Sequence, residues 1–249
     1  MHMTIHEYFK VNNRIALAFS GGTDSAYLLW EAVSCGADVK AYYVKSALQP
    51  GFETRDAEEL AERLGCGFEI LKVDVLSDPD VTANPADRCY YCKKRIMGTI
   101  IAAAKADGYD LLCDGTNASD DISDRPGYKA LQELGIRSPL RECGITKAEV
   151  RARSKEAGLP TWSKPAYACL ATRIKTGEPI TAEKLEITEK AEGILFDMGY
   201  SDFRVRMRGD AALVQIAKDQ HARAMAEEKV IIEAIGGLYS SVSIDPQPR

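Results

Sequence analysis

The sequence predicts an α/β fold, a parallel sheet with helices on both faces, followed by a small C-terminal α+β domain. Three observations carry this. Short apolar runs alternate with helical stretches through the first two-thirds of the chain. The first run stops at Ser20-Gly21-Gly22 and the fourth at Asp114-Gly115, which places polar loops at one edge of a sheet. The pattern then gives way, around residues 161–181, to a stretch rich in Pro, Gly and Lys, after which strands pair through a hairpin signal.

The first strand is Arg14 to Phe19, ending at Ser20-Gly21-Gly22, and a helix runs from Asp24 to Ser34. A second strand covers Val39 to Val44. A helix from Glu53 to Leu64 stops at Gly65, and a third strand spans Phe68 to Val73. Cys92 to Lys105 reads as helix and Tyr109 to Cys113 as a strand stopping at Asp114-Gly115. In parallel sheets ligands bind at the carboxyl ends of the strands, so Ser20 and Asp114 fall on the binding edge. The second part reads as a helix (Ala182 to Met198), strands Phe203–Met207 and Ala212–Ile216 joined through Arg208-Gly209-Asp210, a helix (Gln220 to Ile235) and a last strand, Tyr239 to Ile244. The tail from Asp245 is expected to fray. The resulting division is 1–160, a junction at 161–180 carrying Cys169, and 181–249.

The chain has 249 residues, 45% hydrophobic and 28% charged, the balance of an ordinary soluble protein able to build a core without disulfides. No apolar run reaches the ~18 residues of a membrane span, and the start Met1-His2-Met3-Thr4 lacks the features of a signal peptide, so a cytoplasmic location is expected. A net charge of −5 argues against general nucleic-acid binding. Seven cysteines without a secretion signal argue for a metal site or reactive thiols wherever they cluster. Cys35, Cys66, Cys113 and Cys143 stand alone and read as small hydrophobes.

The sharpest motif is Ser20-Gly21-Gly22-Thr23-Asp24-Ser25, between first strand and first helix. Two glycines permit a tight turn and close approach to a ligand, and the helix start offers free N–H groups and a positive dipole end to phosphate. Ser20 and Ser25 add hydroxyls, and Asp24 is placed to cap the helix or to hold Mg²⁺. A capped helix after a turn is the plain alternative. No G-x-x-x-x-G-K-[ST] occurs, so an ordinary P-loop is excluded. Cys89-Tyr90-Tyr91-Cys92 sets two thiols at a helix start where both can face one metal, with a redox CxxC as the competing reading. A third cysteine, Cys169, lies in Tyr167-Ala168-Cys169-Leu170-Ala171-Thr172-Arg173. Arg204 and Arg206 alternate along a strand and share a face, suited to a phosphate or carboxylate, or else to solvent.

Strand–SGGxDS–helix resembles the PP-loop of the ATP-pyrophosphatase superfamily, which cleaves ATP between its α and β phosphates. With Asp114-Gly115-Thr116-Asn117, Asp124-Arg125-Pro126-Gly127, Arg137-Ser138-Pro139-Leu140 and Arg204-Val205-Arg206, the chain is similar to the LarE family of ATP-dependent sulfur transferases, from Ser20 to about Ile216. That family takes part in making a nickel-pincer nucleotide cofactor. The resemblance implies an adenine-nucleotide α-hydrolase-like fold for 1–160 and a substrate-binding and oligomerisation role for 181–249. It implies that Ala18, Ser20, Gly21, Gly22, Asp24, Ser25, Ser46, Asp114, Gly115, Arg125 and Thr172 bind ATP. Arg173, Glu192, Arg204 and Arg206 are then expected to bind substrate.

One version of the family sacrifices a single cysteine, whose position falls at about Ala168; another holds a 4Fe-4S cluster on three cysteines. Cys89, Cys92 and Cys169 are similar to the three-cysteine pattern, in which one iron lacks a protein ligand and can carry extra sulfide. The implied reaction uses ATP and Mg²⁺ to adenylate a carboxylate of pyridinium-3,5-biscarboxylic acid mononucleotide, with Asp24 assisting, and converts it to a thiocarboxylate. The sulfide source is open, and a homo-oligomer without nucleic acid or membrane is expected. A sacrificial transferase, a PP-loop tRNA thiolase and a non-catalytic nucleotide sensor remain the alternatives.

Overall fold

A computed structural model describes residues 3–122 and 125–249; Asp124, part of the motif above, lies outside them. In chain order the elements are α1 (Ile5–Val11), β1 (Arg14–Ala18), α2 (Thr23–Ser34), β2 (Asp38–Lys45), α3 (Gly51–Leu64), β3 (Gly67–Lys72) and α4 (Pro79–Thr82). There follow α5 (Arg88–Ala106), β4 (Leu112–Cys113), α6 (Pro126–Glu133), α7 (Pro139–Glu142), α8 (Lys147–Glu156) and α9 (Ala182–Asp197). The last are β5 (Phe203–Arg208), β6 (Ala211–Ile216), α10 (Lys218–Ala226), α11 (Glu228–Ile235) and β7 (Ser241–Ile244). Two compact units result, one from Met1–Val75 and Asp87–Lys164, the other from Leu76–Ala86 and Pro165–Arg249. No helix among the described residues is long and apolar enough to cross a membrane.

The first unit carries a four-stranded parallel sheet in the order β3-β2-β1-β4. Ile15 and Leu17 of β1 and Ala41 and Tyr43 of β2 are buried in one core with Ala26, Leu28 and Leu29 of α2 and Ala57 and Leu60 of α3. Strand order steps outward from β1 to β3 and then returns to the other side of β1 for β4. Loops leaving β1 and β4 therefore diverge from neighbouring strands, the crevice in which open α/β sheets bind ligands. This is the α/β fold the sequence predicts.

Several boundaries differ from expectation, each for a local reason. α5 begins at Arg88, so both cysteines of the CxxC lie inside the helix, within its first five residues. β4 is only Leu112–Cys113, because Tyr109 N–H is taken by the Ala104 carbonyl at 2.8 Å in closing α5, with Gly108 at φ 81°. The helix expected over Gln220 to Ile235 is two helices that meet at Glu227, whose carboxylate is held by Arg223 at 3.0 Å and the Tyr200 hydroxyl at 2.7 Å.

The second unit has a three-stranded sheet, β5-β6-β7. β5 and β6 are antiparallel with Arg208 opposite Ala211, leaving Gly209-Asp210 as a two-residue turn with Gly209 at φ 58°. β7 runs parallel to β6. The buried Asn84 adopts φ 54° and donates its amide to the carbonyls of Lys175 (2.9 Å) and Glu178 (3.0 Å), tying Leu76–Ala86 into this unit. The tail does not fray: Arg249 N–H bonds the Ile216 carbonyl at 2.9 Å and its guanidinium pairs with Asp202.

One contact in the first unit admits no side chain. A Cβ on Gly115, just past β4, would lie 2.9 Å from the Ser25 backbone nitrogen and 3.1 Å from its Cα. Gly115→Ala must push the β4 loop off the first turn of α2. The expected cost is about 1–3 kcal/mol, read as a lower urea midpoint at unchanged slope.

Candidate functional site

The phosphate-loop candidates converge as their spacing implies. Gly22 is the N-cap of α2 and supplies no side-chain cap, so Asp24 does not cap the helix. The loop is tightened instead by its own hydroxyls. Ser20 and Ser25 oxygens are 3.1 Å apart, and Ser25 Oγ accepts from Ser20 N–H at 3.3 Å and donates to the Gly22 carbonyl at 3.2 Å. Gly21 sits at φ 69° with its α-carbon face against Ala57, where a Cβ would be 3.0 Å from the alanine methyl. No side chain caps the N–H groups that open α2 at the carboxyl edge of β1, and a helix start of that kind is suited to an anion.

Asp24 is in the first turn of α2, with Lys147 Nζ at 2.5 Å from one carboxylate oxygen and Asn117 Nδ2 at 3.4 Å from the other. Sequence reasoning did not single out Lys147. A signal was present: Thr146 and Glu149 form a capping box, which sets a lysine at the first helical position, where the dipole disfavours a cation. Asp114 is buried and its carboxylate is consumed internally, accepting from Ser138 Oγ (2.6 Å), Thr116 Oγ1 (2.6 Å) and Thr116 N–H (3.2 Å). It shapes the loop that presents Gly115. Ala18 ends β1; Ser46 follows β2 and donates to Gln49 Oε1 at 2.5 Å. Arg125 is exposed and paired with Asp120 at 3.2 Å.

Cys89 and Cys92 lie three residues apart in the first two turns of α5, on one face, Cys89 exposed and Cys92 half-buried. The buried Arg88 places a guanidinium nitrogen 3.8 Å from Cys89 Sγ. Gly127 opens α6 beside them: a Cβ there would be 3.7 Å from that of Cys89. Cys113 is fully buried beneath Tyr8, and burial pushes its thiol up to about 12, as an inert apolar side chain should behave.

In the second unit Cys169 is half-buried and leads into the short turn Leu170–Arg173. Its carbonyl accepts from Thr172 Oγ1 at 2.8 Å and Thr172 N–H at 3.0 Å. Arg173 is fully buried, donating to the carbonyl of Ala168 at 2.8 Å and to both oxygens of the buried Glu192, at 2.8 and 3.0 Å. Glu192 also accepts from Val205 N–H at 2.9 Å, on the free edge of β5, and from the Tyr167 hydroxyl. One carboxylate therefore ties helix, strand edge and the cysteine-bearing turn together.

Arg204 and Arg206 do share a face of β5, as alternation requires, but neither is a freely solvated side chain. Arg204 is buried and donates to the carbonyls of Phe203 (2.6 Å) and Ala166, its guanidinium 5.3 Å from the Tyr167 ring. Arg206 donates to Gln215 Oε1 (2.9 Å) and the Thr172 carbonyl (2.6 Å). Burial, then the positive charges of Arg173 and Arg249, pull Arg204 down to about 10 and lower Arg206 as well. Four arginines thus crowd one another, with Glu192 and Asp202 as carboxylates beside them.

Removing the central carboxylate should be costly. Glu192→Ala leaves Arg173 charged, buried and unpaired, for an expected loss of about 3–5 kcal/mol in urea unfolding. The double change Arg173→Met with Glu192→Leu is expected to cost less than that single one, because it removes both charges.

No family model matches the chain. Individual proteins do. An uncharacterized protein of Synechocystis sp. is 38% identical over 219 residues, 87% of this chain and 81% of its own. The tRNA-specific 2-thiouridylase MnmA of Thermotoga neapolitana is 23% identical over 290 residues, 94% and 80% of the two chains. The pyridinium-3,5-bisthiocarboxylic acid mononucleotide synthase of Lactiplantibacillus plantarum is 35% identical over 215 residues, 86% of this chain and 78% of its own. At that identity over most of both proteins, and with an SGGTDS loop at the carboxyl edge of a parallel sheet, the chain belongs to the LarE family of PP-loop sulfur transferases.

Proposed function

We propose that the protein is an ATP-dependent sulfur transferase that adenylates a carboxylate of pyridinium-3,5-biscarboxylic acid mononucleotide and converts it to a thiocarboxylate. The observation that carries this reading is the uncapped start of α2, with Gly115 packed on its first turn and the Asp24–Lys147 pair beside it. The L. plantarum relative is named for the bisthiocarboxylic acid product, which gives the substrate class. A net charge of −5 favours this small substrate over the tRNA of the thiouridylase relatives.

A carboxylate is a poor electrophile, and adenylation turns it into a good one. Its oxygen attacks the α-phosphorus of ATP; the bond to the bridging oxygen breaks and pyrophosphate leaves with the electron pair. A sulfide then attacks the acyl carbon and AMP departs, so no net oxidation occurs. Backbone N–H groups at residues 23–25 and the Ser20 and Ser25 hydroxyls receive the pyrophosphate. Lys147 balances charge on the leaving group, and Asp24 offers a hard oxygen ligand suited to Mg²⁺. Arg204 and Arg206 anchor the nucleotide phosphate, which relieves the crowding of like charges around them. Arg173, Glu192 and Thr172 hold the Cys169 turn in place. Ser46 and Arg125 border the nucleotide, and a homo-oligomer is the expected assembly.

Cys89 and Cys92 fit as two thiolate ligands from one helix face, and with Cys169 they would hold a 4Fe-4S cluster. Such a cluster, with one iron free of protein ligands, would supply the sulfide. Anaerobic purification with iron and acid-labile sulfide analysis tests this. About four irons per chain are expected in the native protein, with loss of iron and of thiocarboxylate formation in Cys92→Ser. Iron retained in that variant, or absent from the native protein, overturns the cluster. A mass loss of one H₂S per chain after turnover would point instead to a sacrificed cysteine.

A further inference from the structure

We propose that the first unit carries a second metal site, for zinc(II), formed by His6, Glu31 and Cys35. From the sequence Cys35 reads as a lone small hydrophobe; the structure gives it partners. α1 packs on α2, with Tyr8 and Phe9 buried in the same core as Leu28 and Leu29, and this docking brings His6 over the last turn of α2. Glu31 and Cys35 are four residues apart there, with Cys35 N–H bonded to the Glu31 carbonyl at 2.9 Å, so their side chains stack on one face. His6 Nδ1 lies 3.0 Å from Cys35 Sγ, and ligand atoms of all three residues lie within 4.8 Å of one another.

The donor set selects the ion. A thiolate with an imidazole and a carboxylate suits zinc, whereas Mg²⁺ and Ca²⁺ prefer oxygen alone. Zinc–ligand distances of about 2.0–2.3 Å require the His6–Cys35 contact to open by roughly half an ångström and the Glu31 carboxylate to settle at a similar separation from both, within reach of its side-chain torsions. His6 is exposed and the other two half-buried, so a water can complete a tetrahedron. Zinc would displace the Cys35 proton and take over the role of the present His6–Cys35 hydrogen bond. Bound there, it cross-links α1 to the helix whose opposite end forms the phosphate loop.

The site is independent of the proposed cluster, and its test is arranged to keep the two apart. Co(II) is titrated anaerobically into the full chain carrying Cys89→Ser, Cys92→Ser and Cys169→Ser. One equivalent is expected to bind, with thiolate-to-cobalt charge transfer in the near ultraviolet. Adding Cys35→Ser should abolish that band, and adding His6→Ala should weaken binding by about tenfold or more. In the otherwise native chain, zinc should protect the Cys35 peptide from alkylation, and His6→Ala should remove the protection. Absence of the band, a band that survives Cys35→Ser, or zinc protection that survives His6→Ala would overturn the proposal.

Discussion

The first unit depends on one approach between backbones. Gly115 comes so near the amide of Ser25 that a single methyl group would separate them. The approach is available because β4 lies beside β1 in the sheet and parallel to it, Leu17 opposite Cys113. It brings the Asp114–Asn117 loop onto the start of α2, so that Asn117 reaches Asp24. The buried Asp114 carboxylate secures the other side of the loop through Ser138 and Thr116. Anything bound by the helix N-terminus then meets walls already in place.

The second unit is organised by charge. Glu192 satisfies a bidentate arginine, a strand-edge amide and a tyrosine hydroxyl from one buried position. Such a pair is costly to bury and more costly to break, which makes the Cys169 turn a fixed feature. Around it Arg204 and Arg206 sit partly desolvated, and burial and neighbouring arginines lower both. Their neighbours include the arginines Arg173 and Arg249 and the carboxylates Glu192 and Asp202.

Much of this was legible in the sequence because it is local. SGGTDS after an apolar run marks a strand, a turn and a helix start within a dozen residues, and the hairpin turn at Gly209-Asp210 announces itself the same way. The CxxC pair needed only a helix beneath it. What escaped was long-range. Lys147 meets Asp24 across more than a hundred residues, and nothing in its neighbourhood beyond an unfavourable dipole hints at the pairing. Cys35 looked solitary because its partner His6 belongs to a different helix. Strand β4 read too long because the closing hydrogen bond of α5 takes residues that alternation alone would give to the sheet.

In the proposed reaction the loop between β1 and α2 cleaves ATP at the α phosphorus to activate a carboxylate. Isotope exchange between labelled pyrophosphate and ATP tests it directly, without regard to the sulfur donor. Label should enter ATP only when the pyridinium biscarboxylate nucleotide is present, and AMP should be the nucleotide product. Formation of ADP and orthophosphate, or exchange indifferent to the carboxylate, would contradict the account.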